Sequence, residues 1–225
     1  MTGEAEWPSS WGFGLPPLAQ ATAFAEAVRD LTETVLALDE PSPVLDDLIT
    51  RIRSAGQALR GQARVTARPR VGTHAGSAEF RPYLDHGLRI GAYNPVFPEY
   101  TMTVLEETRA GGTVRFPVPY EGPPGCVHGG FLAVFFDAVI SHHGSETGTA
   151  GKTRNLELRY RRPTPLGETL TFEIRRTAEG RDIVSDASLF HGPRLTCAAR
   201  SRNVATRRDQ LPAVGARMAR PKRGI

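Results

Sequence analysis

The sequence predicts an α+β fold, an antiparallel β-sheet wrapped around one central helix, with a helical extension in front of it. Three observations carry this. From Leu156 onward, apolar and polar residues alternate with period two, so each strand has one buried and one wet face. Between the second and third expected strands runs Phe131-Leu-Ala-Val-Phe-Phe-Asp-Ala-Val-Ile140, a helix apolar on nearly every side, which the sheet must enclose. Near the N-terminus the apolar spacing is helical instead.

In chain order, residues 1–17 carry Trp7 and Trp11 among prolines and glycines and read as an irregular arm. From Leu18, Phe24, Val28, Leu31, Val35 and Leu38 fall on one helical face. Pro41-Ser42-Pro43 ends that helix and starts another, with Ser42 as cap and Pro43 at the first helical position. The second helix places Val44 or Leu45, Leu48, Ile52, Ala55 and Leu59 on one side, so the pair reads as a helical hairpin. Gly61 to Glu99 lacks periodicity and reads as a long connection. Thr101–Glu107 and Thr113–Val118 are β-prone around Ala110-Gly111-Gly112, a hairpin signal. After the apolar helix, Leu156, Leu158 and Tyr160 oppose Glu157, Arg159 and Arg161, and Leu170, Phe172 and Ile174 oppose Thr171, Glu173 and Arg175. Glu179-Gly180 and His191-Gly192-Pro193 then turn the chain into strands at 182–190 and 195–204. The expected organisation is an arm, hairpin and connection over 1–91, a sheet-and-helix domain over 92–205, and a tail over 206–225.

Composition narrows the function classes. The 225 residues are 40% hydrophobic and 23% charged, as in ordinary globular proteins. The longest apolar run is about half the ~20 residues that span a bilayer, and Asp137 interrupts it, so no membrane span is expected. The N-terminus is acidic and polar, unlike a secretory signal. Cys126 and Cys197 lie far apart with no metal or redox spacing, which fits a reducing cytoplasm. The net charge of +4 resides in the tail, where Arg207, Arg208, Arg217, Arg220, Lys222 and Arg223 face only Asp209. The body is therefore close to neutral. The tail reads as disordered, with no interleaved aromatics to suggest a nucleic-acid surface.

The chemistry concentrates in Gly122-Pro-Pro-Gly-Cys-Val-His-Gly-Gly130 and the helix after it. A glycine turn at a helix start exposes N–H groups that can hold a developing negative charge. Asp137, a carboxylate inside an apolar run, is costly to bury unless something uses or pairs it. Together they suggest attack on a carbonyl. Cys126 reads as a small buried residue rather than a nucleophile. His142-His143 lacks partners at ligand spacing and reads as a solvated helix end, so no metal is expected.

One helix enclosed by an antiparallel sheet is the hotdog architecture. Gly122–Gly130, Phe136-Asp137 nine residues past His128, and Tyr160-Arg-Arg-Pro-Thr-Pro-Leu-Gly167 resemble the PaaI-like branch of hotdog-fold acyl-CoA thioesterases over roughly half the chain. The resemblance implies hydrolysis of an acyl-CoA with no cofactor. It implies that the Gly130 N–H, with Gly129 beside it, polarises the thioester carbonyl, that Asp137 acts as base or nucleophile, and that the hydroxyl of Thr153 assists. His128 either shapes the turn or touches substrate. Arg159, Arg161 and Arg162 either grip the coenzyme A phosphates or form a solvated strand face. Some relatives carry Asn or Gln six residues before the histidine, where this chain has Gly122.

Spacing adds a separate expectation. Asp137 lies seven residues beyond Gly130, about 10 Å along a helix at ~1.5 Å per residue. One side chain cannot bridge that distance, so a shared substrate would need Asp137 from a second copy in a homodimer or larger homo-oligomer. The competing functions are a hotdog hydratase or dehydratase, a non-catalytic acyl-CoA-binding or sensor module, and an interaction protein acting through its basic tail.

Overall fold

The computed structural model describes residues 19–62, 89–147, 151–180 and 182–205. The N-terminal arm, residues 63–88 of the long connection and the basic tail lie outside the described residues. The elements are α1 (Ala19–Leu36), α2 (Pro43–Gln62), the single-turn α3 (Ile90–Tyr93), β1 (Tyr100–Leu105), β2 (Arg109–Arg115), a 3-10 turn (Val118–Tyr120), α4 (Gly129–Glu146), β3 (Gly151–Tyr160), β4 (Thr169–Glu179), β5 (Asp182–His191) and β6 (Arg194–Ala205). The six strands form one antiparallel sheet in the order β1-β2-β4-β5-β6-β3. The chain enters α4 from one side of the sheet and leaves it at the opposite edge, so the helix must cross the concave face. This is the expected hotdog arrangement.

Period-two alternation holds best in β4, where Leu170, Phe172 and Ile174 are buried and Thr171, Glu173 and Arg175 exposed. Phe135 of α4 is the hub of the core. Its ring meets Phe116 at 5.5 Å, Phe172 at 5.3 Å and Tyr100 at 6.2 Å, all edge-to-face. These contacts tie α4 to β1, to β4 and to the segment after β2.

Three expectations need correction. The first hairpin does not turn at Ala110-Gly111-Gly112. It turns at Glu106–Thr108, with the Glu106 N–H on the Arg109 carbonyl at 2.8 Å, and the glycines sit inside β2. They face a bulge in β1 between Met102 and Val104. A Cβ at Gly112 would run into the Thr101 carbonyl, and one at Gly111 would lie 2.9 Å from the Phe172 carbonyl. Close backbone approach, not a turn, requires them.

The docked face of α1 takes in only the middle of the apolar stripe, where Val28, Leu31 and Val35 are half-buried. Phe24 and Leu38 are exposed at 61% and 45%, whereas Ala25 is fully buried. Arg29 beside it donates to the Gly91 carbonyl at 2.9 Å and to Glu99 at 3.3 Å. The helix packs on α3 and the 3-10 turn, a surface that accepts a small residue and a long polar one better than a phenylalanine. No residue of α2 is buried, and Val44, Ile52 and Leu59 stay exposed.

Third, α4 is not enclosed on all sides. Leu132, Phe135, Phe136, Val139 and Ile140 are buried. Gly130 and Asp137 are exposed, and Ala133, Val134 and Ser141 are half-buried. Those positions recur at three- and four-residue steps and form one open stripe along the helix. Among the described residues, no helix is long and apolar enough to cross a membrane.

Candidate active site

The open stripe begins at the helix start. His128 is the N-cap, with extended backbone (φ −64°, ψ 132°), and its Nδ1 accepts the Gly130 N–H at 3.0 Å. An acceptor Nδ1 carries no proton, so the ring is the neutral Nε2–H tautomer here. The His128 N–H is itself bound to the Tyr120 carbonyl at 2.9 Å, which anchors the turn to the 3-10 segment. Gly129 occupies the first helical position, where the helix offers its N–H no partner. The N–H groups of this turn are thus aimed outward along the helix dipole, and one of them is held by the capping imidazole.

Gly122 lies directly behind the cap. A Cβ there would come within 2.7 Å of the His128 Cα and 2.9 Å of its Cβ. No Asn or Gln side chain fits beside this backbone, which accounts for glycine at that position. Gly125, in the left-handed region at φ 73°, donates its N–H to Glu121 Oε1 at 2.7 Å and closes the loop that delivers the histidine.

Two turns up the helix stands Asp137. Its carboxylate is exposed, not buried as the apolar run suggested, because it falls on the stripe the sheet leaves uncovered. Thr153 of β3 donates its hydroxyl to Asp137 Oδ1 at 2.8 Å. Sequence-adjacent elements therefore bring Asp137 and Thr153 into contact. The Gly130 N–H lies at the far end of the stripe in the same chain.

The remaining candidates are placed as follows. Arg159 pairs with Glu157 at 2.9 Å, and Arg162 donates to the Leu195 carbonyl at 2.9 Å. Arg161 is exposed, with its backbone N–H on the Thr196 carbonyl at 2.8 Å. Two of the three guanidiniums are thus engaged locally. Cys126 is half-buried, and Cys197 is fully buried, its thiol pushed up to about 11 by that burial. His142 and His143 are not a solvated helix end. They are 3% and 0% exposed, because the last turn of α4 packs beneath β1 and the β1–β2 turn.

The structure adds residues that pattern reading passed over. Tyr160 was expected to face inward. Its ring is 59% exposed, and its hydroxyl donates to the Gly129 carbonyl at 3.1 Å, across the start of α4. Asn203 of β6 donates from Nδ2 to Thr153 Oγ1 at 3.1 Å, and Ser201 donates to Asn203 Oδ1 at 2.6 Å. The signal for the last two was present. Inward positions 197, 199, 201 and 203 change from apolar to polar along β6, opposite the strand that carries Thr153. Behind the turn, α1 closes a cleft of about 320 Å³ lined by Arg29, Glu33, Glu99, Arg115 and Tyr120. The Tyr120 hydroxyl is buried without a partner among the described residues, and burial raises its pKa to about 12.

Residues 124–185, the span from the turn through α4 to β5, match the family model of the Thioesterase superfamily. A curated relative, acyl-coenzyme A thioesterase THEM4 of Xenopus laevis, is 30% identical over 93 residues, 40% of this chain and 42% of that protein. The chain thus spans less than half the length of that relative. A solved thioesterase superfamily protein has a TM-score of 0.67 at 25% identity, covering 87% of this chain and 100% of the other. A hypothetical thioesterase from Streptococcus pneumoniae, crystallised with coenzyme A, has a TM-score of 0.46 at 21% identity, covering 49% and 91%.

Proposed function

The chain carries a hotdog domain of the thioesterase superfamily, and on that premise we propose that it hydrolyses an acyl-CoA thioester to a free acid and coenzyme A. The observation that carries this reading is the open stripe of α4, with outward amide hydrogens at one end and a Thr153-bound carboxylate two turns away.

In this proposal the thioester carbonyl oxygen lies at the Gly129-Gly130 turn. There it competes with the His128 imidazole for the Gly130 hydrogen and gains the helix dipole. Water attacks the carbonyl carbon and gives its proton to Asp137. The tetrahedral intermediate collapses with cleavage of the C–S bond, and the departing thiolate takes up a proton. A thiolate leaves readily, so no strong general acid is required. His128 and Tyr160 hold the turn, and Thr153 orients the carboxylate.

The two halves of this machinery lie about 10 Å apart along α4 at ~1.5 Å per residue. The proposal therefore takes Asp137 from a second copy. What supports a second copy is the stripe itself. Ala133 and Val134 are half-buried on it, and an isologous contact with an antiparallel helix would cover them while pairing each turn with the other chain's Asp137.

A thiol-release assay over acetyl-, octanoyl-, palmitoyl- and benzoyl-CoA tests the function. Release from at least one saturated substrate is expected, with Asp137→Asn lowering turnover at least about a hundredfold. Tight binding with no thiol release would instead mark a binding module. Water addition to an enoyl-CoA without thiol release would mark a hydratase.

A further inference from the structure

We propose that Asn203 is a positioning residue of this site, acting through Thr153 to fix which way the Thr153 hydroxyl points. The inference rests on the assignment of Asp137 as the base. It goes beyond that assignment because the Asn203 side chain hydrogen-bonds to Thr153 and Ser201, and it is Thr153 that bonds Asp137.

Thr153 has one hydroxyl hydrogen and two close polar neighbours, Asp137 Oδ1 at 2.8 Å and the Asn203 side chain at 3.1 Å. A carboxylate can only accept, so the hydrogen goes to Asp137. The other neighbour must then donate, and only the NH₂ end of the amide can do so. In that orientation Asn203 Oδ1 faces Ser201, whose hydroxyl donates to it at 2.6 Å. With the amide flipped, Thr153 would need one hydrogen for two acceptors. The series Ser201, Asn203, Thr153, Asp137 therefore runs in one direction, every hydrogen pointing towards the carboxylate.

Placement on the sheet supports a dedicated role. Ser201 and Asn203 occupy inward positions of β6 and are 0% and 7% exposed. Buried amides and hydroxyls are costly without partners. Asn203 stands directly opposite Thr153 in the β3–β6 register, beside a bulge between Thr153 and Asn155. The bulge re-aims the strand where the hydroxyl must reach α4. The consequence for the site is that Oδ1 is occupied by a fixed hydrogen bond. Oδ2 has no hydrogen bond from any described residue and is left to take the proton of water.

A double-mutant cycle on the full chain tests this, using whichever of acetyl-, octanoyl-, palmitoyl- or benzoyl-CoA releases thiol fastest. Asn203→Leu is expected to lower kcat about fivefold, the share of one hydrogen bond between neutral groups at about 1 kcal/mol, with KM within about twofold. In a Thr153→Val background the same substitution is expected to change kcat less than about twofold, because its only route to Asp137 has gone. Ser201→Ala, the milder change, is expected to cost about threefold in the wild-type background alone, and it carries the cycle if Asn203→Leu does not fold. A loss that repeats undiminished in the Thr153→Val background would show a merely structural asparagine and overturn the proposal. Asp137→Asn in the same assay separates the two failures. If it is inactive while the cycle is additive, only the Asn203 proposal falls. If it keeps wild-type turnover, the assignment of the base falls and takes the proposal with it.

Discussion

The two ends of α4 both carry histidine and use it in opposite ways. At the N-terminal end His128 is exposed and lends a ring nitrogen to the Gly130 N–H at 3.0 Å. At the C-terminal end His143 is fully buried, with Nε2 against the Glu106 carbonyl at 2.6 Å, and His142 Nδ1 lies 3.0 Å from the Tyr100 hydroxyl. Arg176 completes that end by donating to Thr147 Oγ1 at 2.7 Å. The C-terminal end thus closes onto β1, β4 and the β1–β2 turn, where buried polar groups must find partners. The N-terminal end has glycine at its first two positions, and its capping bond lies where solvent or a ligand can reach it. One helix is sealed at one end and open at the other, and the open end is where chemistry has room.

The largest expected effect concerns whether the open end works with its own Asp137 or another chain's. Gly130→Pro removes the amide hydrogen in a first helical turn, where proline is tolerated. That variant and Asp137→Asn are each expected to lose at least about a hundredfold in turnover. A heterodimer of the two would contain one site with both groups intact and one with neither. Dissociated and remixed in equal amounts, half the dimers are heterodimers, so activity should return to about a quarter of wild type. Failure to recover, in a mixture shown by mass to contain the heterodimer, would place both groups in one chain.

The contrast between the ends also explains what the sequence disclosed. β4 was legible because one of its faces is buried, and alternation reports burial directly, whereas in β3 Leu156 and Leu158 are only half-buried and Tyr160 is exposed. The first hairpin was misplaced because Gly111 and Gly112 have the composition of a turn, whereas they answer a close approach from Thr101 and Phe172 that only the fold creates. The glycine turn and Asp137 could be picked out from residue type and spacing. The exposure of Asp137 could not, since an apolar helix with one uncovered stripe looks the same in sequence as one fully enclosed. His142 and His143 were misread for the converse reason. Their burial comes from Tyr100 and Glu106, some forty residues away in the chain. The polar turn of the inward positions at Ser201 and Asn203 could be seen along β6, but its link to the site lies in the register with Thr153, which no local pattern encodes.

The sealed end is expected to reveal itself through pH. His143 Nδ1 is buried with no partner among the described residues, so protonating it would create a cation whose hydrogen has no acceptor. Burial lowers the pKa of His143 below its ordinary 6.5, the bond to Glu106 pulls the other way, and Arg176 adds repulsion. Above pH 6.5 both folded and unfolded forms are neutral, and the group contributes nothing to pH dependence. Below it the unfolded chain takes a proton that the folded chain refuses, so stability falls as pH falls, by up to about 1.4 kcal/mol per pH unit. His143→Gln, which keeps a donor towards Glu106 and cannot titrate, should flatten urea-melt stability between pH 7.5 and 5. Equal slopes in the two proteins would show that His143 is not the group responsible.

The smallest expected effect belongs to the open end. A side-chain acceptor at an N-cap contributes about 1 kcal/mol, and His128 Nδ1 is that acceptor for α4. His128→Ala should lose about this much in denaturant melts, and His128→Asn, whose side-chain oxygen can reach the same N–H, should recover most of it. If the imidazole only caps, turnover in His128→Asn stays within about threefold of wild type, because the Gly130 hydrogen is still presented from an intact helix start. A hundredfold loss in that variant with stability restored would mean that the ring does more than cap. The imidazole would then join the turn's amides as a group that meets the substrate.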